Sequence, residues 1–332
     1  MGTCTVAVDA MGGDRAPGEI VAGALRAVDE LGVQATLVGR EEEVAPLLPS
    51  PAPAGVSIMD ARDVIAMDDE PASAVRKKKG SSIVRSAQAV RDGAADAMVS
   101  AGNTGAAMAA ALLRMGRVKG VARPAIAVVL PVPGHGHQIL VDAGATTDCS
   151  PEWLAQFALM GREYARVRLE IDEPSIGLLS IGEEPGKGDE LRKAAYPLLA
   201  DLPGFIGNVE GRDFMHADSA DVVVTDGFTG NVALKSLEGA LRSLASLLFR
   251  VFESSPEAKA AGDVVIPMLL ETAEAYDPDL TGGAVLLGVN GVCVISHGAS
   301  SETAIVKAMG VAADCVAADV PGRVRKAVAS AS

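Results

Sequence analysis

Aromatic residues make up only 3% of this 332-residue chain, with one Trp, three Tyr and six Phe. Recognition of bases or sugars by ring stacking has little to work with. Basic residues are scarce too. The 29 Lys and Arg stand against 43 Asp and Glu, a net charge of −14, and such a field repels a phosphate backbone, so nucleic acid is not the expected partner. Four cysteines, Cys4, Cys149, Cys293 and Cys315, lie far apart without CxxC spacing. Neither a disulfide framework nor a zinc site is indicated, and neither metal nor cofactor is expected. Long hydrophobic runs are missing as well. The longest stretch free of charged residues, 280–301, carries five glycines with Asn290, Ser296 and His297, and it reads as strand and turns instead of a membrane span. The amino terminus has no basic segment ahead of its first apolar run, so no secretory signal is read and a cytoplasmic location is expected.

What is present is 49% hydrophobic residues and 36 glycines, enough apolar material for one large α/β domain or two smaller lobes, and a single domain over 1–332 is expected. Short β-branched runs at 6–8, 35–38, 97–99, 126–130, 139–141, 176–179, 222–225 and 292–295 alternate with Ala/Leu-rich helical stretches such as 20–31 and 82–92. That alternation predicts a parallel sheet covered by helices on both faces, a three-layer α/β/α sandwich. Nearly every strand ends in a Gly-, Asp-, Asn- or Ser-rich turn, and in open α/β sheets the carboxyl ends are where ligands bind. One segment departs from the pattern. From Leu234 to Phe252 apolar residues recur mostly at three- and four-residue steps, Ser254-Ser255-Pro256 closes the run, and 264–270 is a second apolar stretch. An added amphipathic helical hairpin at about 234–277 is expected, packed on the core, at a subunit interface or against a bilayer.

Six constellations carry chemistry. Asp9-Ala10-Met11-Gly12-Gly13-Asp14 is a strand-to-helix turn whose glycines admit close approach of an anion, yet it meets neither GxGxxG nor GxxxxGK[ST]. Ser100-Ala101-Gly102-Asn103-Thr104-Gly105 offers hydroxyls, an amide and free N–H groups to a phosphate or oxyanion. Arg76-Lys77-Lys78-Lys79 is the densest positive cluster in an acidic chain, suited to receive an acidic partner. Gly182 to Gly188 places Lys187 between glycines on a loop, where it can reach over a bound anion. Thr225-Asp226-Gly227-Phe228-Thr229-Gly230-Asn231 delivers Asn231 at a helix start, and Gly288-Val289-Asn290-Gly291 with Ser296-His297-Gly298 repeats the design. No Ser-His-Asp or Cys-His arrangement emerges, so covalent catalysis is not supported.

Taken in order, these motifs resemble the PlsX family of acyl-carrier-protein:phosphate acyltransferases of bacterial phospholipid synthesis, over nearly the whole chain. The resemblance implies an isocitrate/isopropylmalate-dehydrogenase-like fold shared with phosphotransacetylases, a homodimer, and peripheral membrane association that hands product to a membrane acyltransferase. It implies attack of inorganic phosphate on the thioester of long-chain acyl-ACP, giving acyl phosphate and free carrier protein. Lys187 and Asn231 match positions that the family uses for activity. Phosphate and substrate binding then falls to Asp9, Gly12, Gly13, Ser100, Gly102, Asn103, Thr104, Gly105, Asp226, Thr229, Asn290 and His297, and carrier-protein docking to Arg76, Lys77, Lys78 and Lys79. Two positions depart from the family, Thr146 where Asn is expected and Thr281 where Tyr commonly stands. Phosphorolysis of acyl-CoA and a non-catalytic acyl-lipid scaffold are the competing readings.

Overall fold

The computed structural model describes residues 3–134, 136–216, 218–274 and 280–331, so the expected end of the hairpin, 275–277, lies outside the described residues. Eleven strands form one sheet: β1 (Thr5–Asp9), β2 (Gln34–Gly39), β3 (Val56–Asp60), β4 (Ala97–Ser100), β5 (Ala125–Val132), β6 (Gly136–Val141), β7 (Ile176–Leu179), β8 (Phe205–Val209), β9 (Val222–Val224), β10 (Ala284–Leu287) and β11 (Val292–Ile295). The spatial order is β3-β2-β1-β4-β11-β10-β5-β6-β9-β7-β8. The helices are α1 (Gly18–Leu31), α2 (Glu41–Val44), α3 (Pro71–Lys77), α4 (Ser82–Arg91), α5 (Thr104–Arg114), α6 (Pro151–Arg168), α7 (Glu190–Ala200), α8 (Gly227–Phe252), α9 (Pro256–Glu274), α10 (Glu302–Ala317) and α11 (Val320–Ser330).

The central strands are buried on both faces, which is why Ile-Gly-Leu-Leu of β7 and Val-Cys-Val-Ile of β11 read as continuous apolar runs. Two apolar cores lie on the two faces of the sheet. One takes side chains from α1, α6, α10 and α11, the other from α3, α4 and α5, giving three layers.

The sheet differs from the expected all-parallel one. β5 and β6, consecutive in the chain, pair antiparallel, and β10 is antiparallel to both β11 and β5. Strands β1–β5 and β11 therefore run one way, and β6–β10 run the other. The physical reason is the short Pro133-Gly134 connection, where Gly134 takes φ 76°: so few residues can close a hairpin but cannot cross over to a parallel strand. As a consequence, the carboxyl ends of β1, β4 and β11 lie at one edge of the sheet and those of β6, β7 and β9 at the opposite edge.

Helix α8 begins at Gly227, seven residues before the apolar period, because Asp226 caps it by accepting from the Thr229 amide. Its 26 residues extend for about 39 Å, and only Gly227 and Gly230 are buried. Leu241, Leu244, Leu247, Leu248, Phe249 and Val251 are exposed, as are Val264 and Met268 of α9. The two helices meet where Gly262 lies against Phe252, and enclose an apolar space of about 170 Å³ lined by Leu248, Phe249, Phe252, Ile266, Leu269 and Leu270. Among the described residues no helix is long and apolar enough to cross a membrane.

Candidate active site

A cavity of about 200 Å³ opens over the middle of the sheet, between α8 on one side and the first turns of α5 and α10 on the other. Its floor is Val128, Ala284 and Ile295, and its polar lining includes Thr104, Asn231, Ser296, His297 and Ser300. Thr104, Asn231 and His297 are solvent-accessible, so their polar groups are open to a ligand. The amino-terminal turns of α5 and α10 have backbone N–H groups without intrahelical partners and favour negative charge; of these, Ala106 N is taken by Asn103, Glu302 N by Glu19 and Ala304 N by Ser301. Asn231 reaches this space because α8 runs back across the sheet from the end of β9; its Nδ2 donates to Ala143 O at 3.3 Å.

Ala143 belongs to a turn organised by Asp142, which is buried and accepts from the amides of Ile126, Gly144, Ala145 and Thr146 at 2.7–3.1 Å. Burial pushes the Asp142 carboxyl up and these amides pull it back. Thr146 Oγ1 donates to Pro124 O at 3.2 Å and fixes the far side of the turn.

The glycine turns pack behind the cavity. Asp9 is buried, and burial pushes its carboxyl up against the pull of the Ser82 and Ser100 hydroxyls. Ser100 Oγ donates to Asp9 Oδ2 at 2.7 Å and accepts from Gly102 N at 3.1 Å. A Cβ at Gly12 would fall 2.5 Å from Asp9 Oδ2 and 2.8 Å from Gly102 N. Gly12 is thus required where two turns close on one carboxylate, a Cβ at Gly102 would be tight at 3.3 Å from the same oxygen, and Gly13, at φ 113°, takes a backbone conformation that other residues rarely adopt.

Several of the expected ligands also hold the fold together. Asn103 caps α5, its Oδ1 accepting from Ala106 N, while its Nδ2 donates to the carbonyls of Ala66, Met67 and Asp69, so its amide is spent at both ends. Gly105 leaves room for Pro71, whose Cγ would lie 2.6 Å from a Cβ there. Asn290 sits before β11, at the edge opposite Ser100, where it donates to Arg117 O at 2.7 Å and accepts from Arg325. Lys187, Asp226 and Thr229 follow β7 and β9 and also lie at that opposite edge. Lys187 is exposed, 4.0 Å from Glu184, and does not line the central cavity. In the basic cluster, Arg76, Lys77 and Lys79 are exposed, but Lys78 is engaged by Asp69 at 2.5 Å and Val64 O at 3.0 Å. For Asn103, Asn290 and Lys78 the physical reason is that a polar side chain satisfies nearby backbone and charge first.

A family model described as fatty acid synthesis protein matches residues 4–323. The chain is 50% identical over 313 residues to the phosphate acyltransferase of Desulfitobacterium hafniense (strain DSM 10664 / DCB-2), covering 94% of this chain and 93% of that one. Against the phosphate acyltransferase of Geobacillus sp. (strain WCH70) it is 45% identical over 325 residues, covering 97% and 98%. The chain belongs to the PlsX family of phosphate acyltransferases. In shape it is similar to a phosphotransacetylase from Streptococcus pyogenes, with a TM-score of 0.61 at 20% identity over 95% of this chain and 94% of that one. A 4-hydroxythreonine-4-phosphate dehydrogenase from Klebsiella pneumoniae gives 0.54 at 14% identity, over 95% and 99%. Both show a shared fold.

Three side chains of this PlsX chain escaped the sequence reading. Arg192 has a guanidinium only 9% exposed. It donates to Thr225 Oγ1 at 2.8 Å, Thr229 Oγ1 at 3.1 Å, Asp189 Oδ2 at 2.9 Å and Leu179 O at 3.3 Å, and pairs with Asp226. It ties the end of β7 to the starts of α7 and α8. Burial alone would raise the Asp226 carboxyl, but the Thr229 amide and hydroxyl together with Arg192 outweigh it and hold it below the usual carboxylate range. Lys235 and Glu238 line the central cavity from α8. No local pattern marks these residues, since each reads as part of an ordinary polar helix face.

Proposed function

We propose that the chain transfers the acyl group of long-chain acyl-ACP to inorganic phosphate, releasing acyl phosphate and free carrier protein. The observation that carries this reading is that Asn231 shares one open cavity with the amino-terminal turns of α5 and α10. Phosphate is an anion and already a nucleophile at neutral pH, and a leaving thiol of pKa about 8.5 departs without a strong acid. Catalysis then asks for alignment of phosphate with the thioester and for donors at the oxygen that gains charge. Asn231 orients the phosphate or donates to that oxygen, and the helix termini hold the anion. Lys187 supplies positive charge to the phosphate or the oxyanion from its loop.

The cavity is smaller than the roughly 300 Å³ at which pockets for drug-sized ligands begin, so the long acyl chain extends along the exposed apolar face of α8. That face, with α9, is the surface we assign to contact with a second subunit and with the bilayer from the cytoplasmic side, where product passes to a membrane acyltransferase. The single-domain, isocitrate/isopropylmalate-dehydrogenase-like reading is supported by the mid-sheet reversal and by the two structural neighbours.

The deciding experiment is phosphate-dependent formation of hydroxylamine-trappable acyl phosphate from palmitoyl-ACP, run beside palmitoyl-CoA. Product from the carrier-protein thioester is expected; product from the CoA ester alone would replace the donor, and product from neither would leave an acyl-lipid scaffold. A Leu247→Glu variant is expected to lose most of its flotation with liposomes, and undiminished flotation would remove α8 from the membrane contact. Docking of the carrier protein is assigned to α3, which packs on the first turn of α5 beside the cavity. Reversing charge at Arg76 or Lys79 should raise KM for acyl-ACP by about fivefold at low salt. A fall in kcat at constant KM would move the docking surface elsewhere.

A further inference from the structure

On α8, Asn231, Lys235 and Glu238 fall at i, i+4 and i+7, so one helix face carries all three into the central cavity. Lys235 is the one formal cation among the described residues that line it. Its Nζ lies 3.0 Å and 3.2 Å from the two oxygens of Glu238, and the same carboxylate takes Arg242 at 3.4 Å from the solvent side. Glu238 is 23% exposed, while Lys235 and Arg242 are 52% and 76% exposed. One carboxylate is therefore shared by two cations, and the trio carries a net positive charge in a chain of net charge −14. A dianion approaching that chain meets long-range repulsion, and a local cation at the mouth of the cavity offsets it.

We propose that Lys235 is the phosphate-binding lysine of the cavity, parked on Glu238 when the site is empty. When phosphate enters between Asn231 and the start of α5, the Lys235 ammonium turns from Glu238 to the phosphate oxygens. Arg242 remains to neutralise the carboxylate, so no acid is left unpaired beside the incoming anion. Lysine suits this task, being a compact charge on a flexible stem that can exchange partners. The proposal rests on reading the cavity as the phosphorolysis site. It adds a residue to that reading, and it makes Glu238 a competitor of the substrate.

The test is calorimetric binding of inorganic phosphate to the full-length protein, together with KM for phosphate and for palmitoyl-ACP, in wild type, Lys235→Gln, Lys235→Arg and Glu238→Gln. Loss of one charge-assisted contact should weaken phosphate binding and raise its KM by at least about 10-fold in Lys235→Gln, with KM for palmitoyl-ACP and the melting temperature unchanged. Lys235→Arg should restore most of the affinity, and Glu238→Gln should tighten phosphate binding by freeing the ammonium. Phosphate affinity within twofold of wild type in Lys235→Gln would overturn the proposal. So would a rise confined to the acyl-ACP KM, which would assign the lysine to the phosphodiester of the carrier arm. The binding arm needs no turnover, so it stands or falls separately from the identity of the acyl donor.

Discussion

Replacing Asn231 by alanine is expected to lower kcat about 100- to 1,000-fold, the usual cost of one donor aimed at developing charge, with little change in stability. The hydrogen bond its side chain makes to Ala143 O is long at 3.3 Å, and the residue is solvent-exposed, so the fold loses little without it. Lys187→Ala should fall by a similar factor if its ammonium reaches the same oxyanion. The two residues follow strands that end at the edge away from Ser100, but only Asn231 is carried back into the cavity by α8. A double variant therefore reports on their relation. Rates little below those of the worse single variant mean that both act on one transition state. Fully multiplicative losses would show that Lys187 works at a separate place, such as delivery of substrate, and not on the oxyanion. Steady-state kinetics on the four proteins, with melting temperatures as the control, decides between the two.

The strand core was legible because burial on both faces leaves nothing but apolar residues: 176–179 and 292–295 coincide with β7 and β11. The edge strands β3 and β8 were not, since their alternating or half-exposed residues resemble loop. Strand direction was also illegible, as it leaves no trace in side-chain hydrophobicity, and only the Pro133-Gly134 turn hinted at the reversal. The reversals between β5 and β6 and between β10 and β11 divide the strand-end turns into two groups. For the site, small polar residues in strand-end turns were the right places to look, and Thr104, Asn231 and His297 do share a cavity. The same chemistry makes Asn103 and Asp226 good helix caps, so residue type alone could not separate ligand from cap. Arg192, Lys235 and Glu238 sit on helices, where a polar face looks solvated until the tertiary partner is known.

The larger effect on stability is expected at Arg192. Substitution by Met keeps the apolar stem but removes a guanidinium that serves Leu179, Asp189, Thr225, Asp226 and Thr229 at once. The exposed contact to Asp189, whose side chain is 59% exposed, contributes little. The pair with Asp226 matters, because both side chains are under 10% exposed and breaking one partner strands the other; the expected cost is about 3–5 kcal/mol at pH 7. The pH dependence carries the signature. In the wild type the Asp226 carboxyl lies below its unfolded value of about 3.9, so its contribution is present above that pH and is lost as pH falls through the lower folded value. Without Arg192 two of the influences that lower it are gone and the same carboxyl moves up, so the variant has less to lose on acidification, when Asp226 takes a proton. The gap between the two proteins in urea unfolding should therefore narrow from pH 7 toward pH 4 and below. A gap that is constant with pH would mean that Arg192 stabilises by packing alone, and a loss under 1 kcal/mol would mean that the starts of α7 and α8 hold together without it. Because α8 starts at this pair and carries Asn231 five residues further on, a loosened Asp226 cap also predicts that kcat of Arg192→Met falls at temperatures where the variant is still folded.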